Sequence, residues 1–195
     1  MICSHRRSVS NVFFHAAYGS AGQASTRQGY SISVTLGAMQ ARLNPGKAAP
    51  ETYKAVVALE NYLKGVVEPR LRHLVKLRAS QINGCAFCID MHVKEALDDG
   101  EDPQRLHLLS AWRESPLYNE RERALLAWTE ALTLLPQTAA PDADYGRLRE
   151  HFSEAEIVNL TAAIGMINLW NRWAVGFRSQ HPIGMDKRLY PRPPK

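Results

Sequence analysis

Apolar residues recur at helical spacing through the body of the chain. Between Thr52 and Val66, the positions of Ala55, Val56, Leu59 and Leu63 predict an amphipathic helix with these four side chains on its buried stripe. Glu68-Pro69 then punctuates the chain, and Pro69 suits the first turn of a second helix. That helix carries the stripe Leu71, Leu74, Val75, Leu77 and ends at Asn83-Gly84. A third helix is expected from about Cys85 to about Asp99, stopped by Gly100. Asp102-Pro103 pairs a capping residue with a first-turn proline and opens a short helix through Trp112. Asn119 with Glu122, and Ser153 with Glu156, have the spacing of capping boxes; they open helices to Leu135 and to about Phe177. No segment of the main body alternates with the period of a strand, and no repeat of solenoid length is present. The predicted fold class is therefore all-α, a bundle of packed helices.

Residues 1–38 differ from this body. They are rich in Ser, Gly, Arg and Gln, lack acidic residues and show no sustained helical period. A disordered N-terminal extension with Met39 as the effective start is expected, and an organelle transit peptide is the alternative. Residues 39–181 form the helical domain, and residues 182–195, with Pro191, Pro193 and Pro194, are expected to be an irregular tail.

The location of charge excludes one function class. The formal net charge of +5 comes entirely from Arg6, Arg7, Arg27, Arg42 and Lys47; from Glu51 onward, basic and acidic residues balance. A nucleic-acid-binding domain would carry its basic face on the folded part, so no nucleic-acid partner is expected. The most apolar stretch, Ile157 to Phe177, is interrupted by Asn159, Asn168, Asn171 and Arg172, so no membrane span is expected. Three cysteines in 195 residues, two of them adjacent in the pattern Cys85-x-x-Cys88, do not make a secreted disulfide framework. They point to redox or metal chemistry in a reducing, cytoplasmic setting.

Cys85, Cys88 and His92 fall at i, i+3 and i+7, on one face of one helix. At a helix start, unpaired N–H groups and the helix dipole favour a thiolate, the reactive form of cysteine. His92, one turn beyond Cys88, can accept a thiol proton directly or through a water. A second thiol then closes a disulfide on the oxidised sulfur. Two other readings stand beside this one: two buried cysteines with a surface histidine, and a metal site in which His73 or an outside residue completes the trio.

The stretch Leu74-Val75-Lys76-Leu77-Arg78-Ala79-Ser80-Gln81-Ile82-Asn83-Gly84-Cys85-Ala86-Phe87-Cys88-Ile89-Asp90-Met91-His92 resembles the core of the AhpD-like alkylhydroperoxidases, antioxidant proteins of the carboxymuconolactone decarboxylase superfamily. Ile167-Asn168-Leu169-Trp170-Asn171-Arg172 is similar to a helix of the same branch. The resemblance implies a helical bundle assembled as a homo-oligomer, trimer or hexamer. It implies peroxide reduction by Cys88, resolution by a more exposed Cys85, proton relay by His92, and no bound cofactor. The oxidised pair would be reduced by an external dithiol donor of thioredoxin or lipoyl type. Two positions depart from the pattern: His73 stands where a relay glutamate is expected, and Phe87 where a histidine lies between the cysteines. His73 is then either a substitute relay group or a solvated helix residue, with Glu68 and Asp90 as other candidate acids. A non-catalytic metal-binding or redox-sensing module and a decarboxylase-like lyase are the alternative functions; the cysteine pair argues against the lyase.

In the last helix, Trp170 and Trp173 are expected to pack in the core or at a subunit interface. Asn168, Asn171 and Arg172 are expected to hydrogen-bond across helices or subunits, since burying them unpaired is costly. Arg172 could instead bind a substrate carboxylate.

Overall fold

The computed structural model describes residues 40–182. The expected N-terminal extension, with Cys3 and the proposed start at Met39, and the tail beyond Pro182 lie outside the described residues. Among those described there are nine α-helices and one 3₁₀ turn, and no strand. None of these helices is long and apolar enough to cross a membrane.

The helices expected from the pattern are α2 (Pro50–Val66), α3 (Pro69–Ile82), α4 (Ala86–Asp98), α5 (Pro103–Leu108), α6 (Glu120–Thr133) and α9 (Glu154–Phe177). Both capping boxes form, with Asn119 and Ser153 accepting the N3 backbone N–H while Glu122 and Glu156 reach back to the cap. The Asp102 carboxylate caps α5 by accepting the Gln104 N–H at 2.7 Å; the segment through Ala111 continues as a 3₁₀ turn. Three short helices, α1 (Pro45–Ala48), α7 (Leu135–Thr138) and α8 (Asp142–Arg149), carry too little periodic signal to be read from sequence. Of these, only α8 buries a side chain, Leu148.

Helix α3 is the axis of the domain and packs against α4, α6 and α9. Leu71, Leu74, Val75, Leu77, Ala79 and Ser80 are all buried on it. One core joins the α3 face bearing Val75 and Ala79 to α2, α6 and α9; a second joins the face bearing Leu74 and Leu77 to α4, α5 and α6. A helix enclosed this completely buries polar residues as well, so His73 and Lys76 need partners within the protein.

Helix α2 buries only part of the stripe expected of it: Leu63 is in the core and Val56 packs against it. Leu59 is 44% exposed and Ala55 is exposed, whereas Glu60 is buried beside Leu63. The rotation follows from pairing: Glu60 accepts a hydrogen bond from Lys76 of α3 and another, at 3.2 Å, from the Trp170 indole of α9. A buried lysine on α3 draws the carboxylate inward and leaves Leu59, Tyr62 and Val66 on the outer face.

Candidate active site

The turn between α3 and α4 places the cysteines. Gly84 N–H donates to Gln81 O at 3.2 Å and Cys85 N–H to Ser80 O at 3.0 Å, which closes a Schellman motif on the end of α3. The motif requires a left-handed residue, and Gly84 supplies it at φ +63°. The chain then enters α4 with Cys85 as the N-cap, one residue before the helix proper. Its sulfur accepts the Cys88 backbone N–H at 3.4 Å.

This turn is fastened to α9. Asn83 Nδ2 donates to Asn171 Oδ1 at 2.8 Å and to Asn168 Oδ1 at 3.0 Å. Asn171 Nδ2 donates to Ser80 Oγ at 3.0 Å, and Asn168 Nδ2 to Thr133 Oγ1 at 3.2 Å. The asparagines do bond across helices, as their burial required. Arg172 is exposed and donates to Asn168 of its own helix.

Both sulfurs are free thiols, each 1% exposed. The expected greater exposure of Cys85 is not found, because the N-cap position tucks its side chain under the first turn of α4. Cys88 is the cysteine that lines a cavity of about 810 Å³, opened between α2, α4 and α9. The two thiols are close enough to shift each other's ionisation in opposite directions. Cys88 S–H donating to Cys85 holds the Cys85 thiol down at about 7, against the burial that opposes its charge; the capping N–H and the Asn171 amide help. The same interaction pushes Cys88 well above an ordinary thiol, and burial adds to it. Of the two thiols, Cys85 is therefore the one that ionises first, and Cys88 keeps its proton.

His92 lines the same cavity and is 2% exposed. Its Nδ1 lies 2.8 Å from Glu95 Oε2, one turn on. A carboxylate there requires Nδ1 to carry the proton, which leaves Nε2 as the basic nitrogen. That Nε2 is buried and has no hydrogen-bond partner. Burial pulls the His92 pKa below its ordinary value, against the raising effect of Glu95, so the ring is neutral at pH 7. The bond to His92 holds Glu95 down at about 2. Lys76, held by Glu60 at the cavity wall, favours the ionised form of Cys88 from across the space.

His73 is placed elsewhere. Its Nε2 donates to Asp99 Oδ2 at 2.6 Å near the far end of α4, and it is not among the cavity-lining residues. It is buried, so it is not a solvated helix residue either. Glu68 pairs with Arg121 and Asp90 with Lys94; neither lines the cavity. No group of three or more His, Cys, Asp or Glu side chains among the described residues is arranged to hold a metal ion, so His73 does not complete a metal site with the trio.

The profile of the carboxymuconolactone decarboxylase family matches residues 50–131, which include α3, the cysteine turn and α4. YdfG, an uncharacterized protein of Bacillus subtilis (strain 168), is 42% identical over 138 residues, covering 70% of this chain and 94% of YdfG. The chain is an AhpD-like member of the carboxymuconolactone decarboxylase family. Among solved structures of this kind, ATU0492 of Agrobacterium tumefaciens is a protein of unknown function named as a candidate antioxidant defence protein AhpD. It superimposes with a TM-score of 0.73 at 59% identity, covering 74% of this chain and 100% of its own. An uncharacterized peroxidase-related protein from Silicibacter sp. TM1040 has a TM-score of 0.59 at 27% identity, covering 66% and 69% of the two chains.

Three charged residues of the site escaped the sequence reading. Glu95 carried a usable signal, since it lies three residues after His92 on one helix face. Glu60 and Lys76 carried none, because they come from different helices and meet only after packing.

Proposed function

We propose that this AhpD-like protein is a thiol peroxidase that reduces organic hydroperoxides through the Cys85/Cys88 pair. The observation that carries the proposal is the shared placement of Cys88 and the unpartnered His92 Nε2 on one cavity, with Cys85 behind Cys88. As the Cys88 sulfur attacks the terminal peroxide oxygen, its proton passes to His92 Nε2, so no second free thiolate forms beside Cys85. The O–O bond breaks, the alkoxide leaves, and protonated His92 returns the proton to it as an alcohol. Cys88 is now a sulfenic acid. The Cys85 thiolate attacks its sulfur, the S–S bond forms, and hydroxide leaves, taking a proton from solvent to become water. An external dithiol, of thioredoxin or lipoyl type, supplies the two electrons that reopen the disulfide. The low basicity of buried His92 makes it a ready acid toward an alkoxide. Glu95 fixes the tautomer and takes the orienting role expected of an acid at position 73.

The test is consumption of cumene hydroperoxide with dithiothreitol as donor, coupled to mass mapping of the Cys85–Cys88 bond after one equivalent of oxidant. Cys88→Ser is expected to abolish turnover. Normal turnover in that variant would overturn the mechanism.

A further inference from the structure

We infer that the cavity at Cys88 selects an aromatic ring carrying an anionic group. The inference rests on the peroxidase reading for the reactive end of the ligand only. A peroxide group and a small alkyl chain would fill a minor part of a cavity of about 810 Å³, and pockets of such size ordinarily enclose a molecule of drug-like dimensions. One wall is an aromatic cluster. Trp170 and Trp173 meet edge to face with centroids 5.3 Å apart, and Tyr53 contacts both at 5.7 and 6.2 Å. All three line the cavity, and both tryptophans are only partly buried. Rings so arranged offer edges and faces to a further ring.

The charged groups add a sign. Three basic residues, Arg42, Lys64 and Lys76, line the cavity with two acidic ones, Glu60 and Glu95. Glu60 is engaged by Lys76 and the Trp170 indole, and Glu95 by His92. Lys64 and Arg42 form no salt bridge among the described residues; Lys64 acts on Glu95 only through space, and Arg42 donates to the Gly176 carbonyl at 3.1 Å. Both are exposed, at the solvent side of a site whose buried end is Cys88 and His92. Since His92 is neutral, Glu95 keeps its charge, and the lining carries three positive charges against two negative ones, an excess of one that a neutral ligand leaves uncompensated. A carboxylate on the ring, opposite the hydroperoxide, meets it.

The binding arm uses unreactive alcohols with the full-length reduced protein: cumyl alcohol, its para-carboxylate and tert-butanol, followed by tryptophan fluorescence and calorimetry. Cumyl alcohol is expected to bind about tenfold more tightly than tert-butanol, with Trp173→Ala losing most of that difference. The carboxylate should gain a further three- to fivefold, about the yield of a partly exposed ion pair, and Lys64→Gln should remove it. The turnover arm compares kcat/KM for the matching hydroperoxides, which should fall in the same order. Equal affinity for the carboxylate and the neutral alcohol, or a carboxylate preference that survives in Lys64→Gln, overturns the inference. Ordered binding without consumption of any hydroperoxide leaves the ligand class standing and removes the peroxidase reading. Consumption without any order in either arm does the reverse.

Discussion

Removing Cys88 should change the acidity of Cys85. In the wild type the Cys88 S–H bond is the largest influence that holds Cys85 down at about 7 from an ordinary 9.0. A displacement of two units corresponds to about 3 kcal/mol in favour of the thiolate. Cys88→Ala deletes that donor but keeps the backbone N–H of residue 88 that caps Cys85. The Cys85 midpoint should therefore rise by more than one unit. At pH 7 the thiolate population would fall from about half to less than about a tenth. The measurement is ultraviolet thiolate absorbance against pH, which does not depend on reagent access to a buried sulfur. Cys3→Ala is included in every protein so that only the pair is read. The wild type should show one thiolate per chain with a midpoint near 7 and no second one through pH 9, since Cys88 is pushed up. A Cys85 midpoint that stays put or falls in Cys88→Ala would refute the shared-proton pair.

Other consequences are independent of that pair. Lys76→Met leaves the Glu60 carboxylate buried without its cation and should cost about 3–5 kcal/mol in urea unfolding, whereas Glu60→Gln with Lys76→Met should recover most of it; additive losses would sink the pairing argument. Gly84→Ala meets no steric obstruction but forces a left-handed alanine, and should cost about 1–2 kcal/mol by the same measurement. Acidification should destabilise the protein through the His92–Glu95 couple. His92, depressed by burial, contributes fully above its unfolded value of 6.5 and progressively less below it; Glu95, at about 2 in the fold, loses its contribution as pH falls from 4.5 toward 2. The stability gap between wild type and Glu95→Gln should therefore narrow over the lower window, and a gap that widens there contradicts the assignment.

What could be read from sequence about this protein is what local chemistry governs. Asn119/Glu122 and Ser153/Glu156 satisfy orphan backbone groups within one helical turn, so α6 and α9 begin where their side chains say. Asn83-Gly84 ends α3 for an equally local reason, and the i, i+3, i+7 spacing puts Cys85, Cys88 and His92 on one side of α4 before any packing. Tertiary structure decided which charged groups join them. Helix α3 is enclosed on most sides, so Lys76 had to find Glu60 on α2, and that pairing turned Leu59 outward against its hydrophobicity. The same enclosure sent His73 to Asp99 and left the orienting role to Glu95. Helical periodicity records which side of a helix is apolar. It does not record which buried ion will meet which, because that depends on the angle and depth at which separate helices pack.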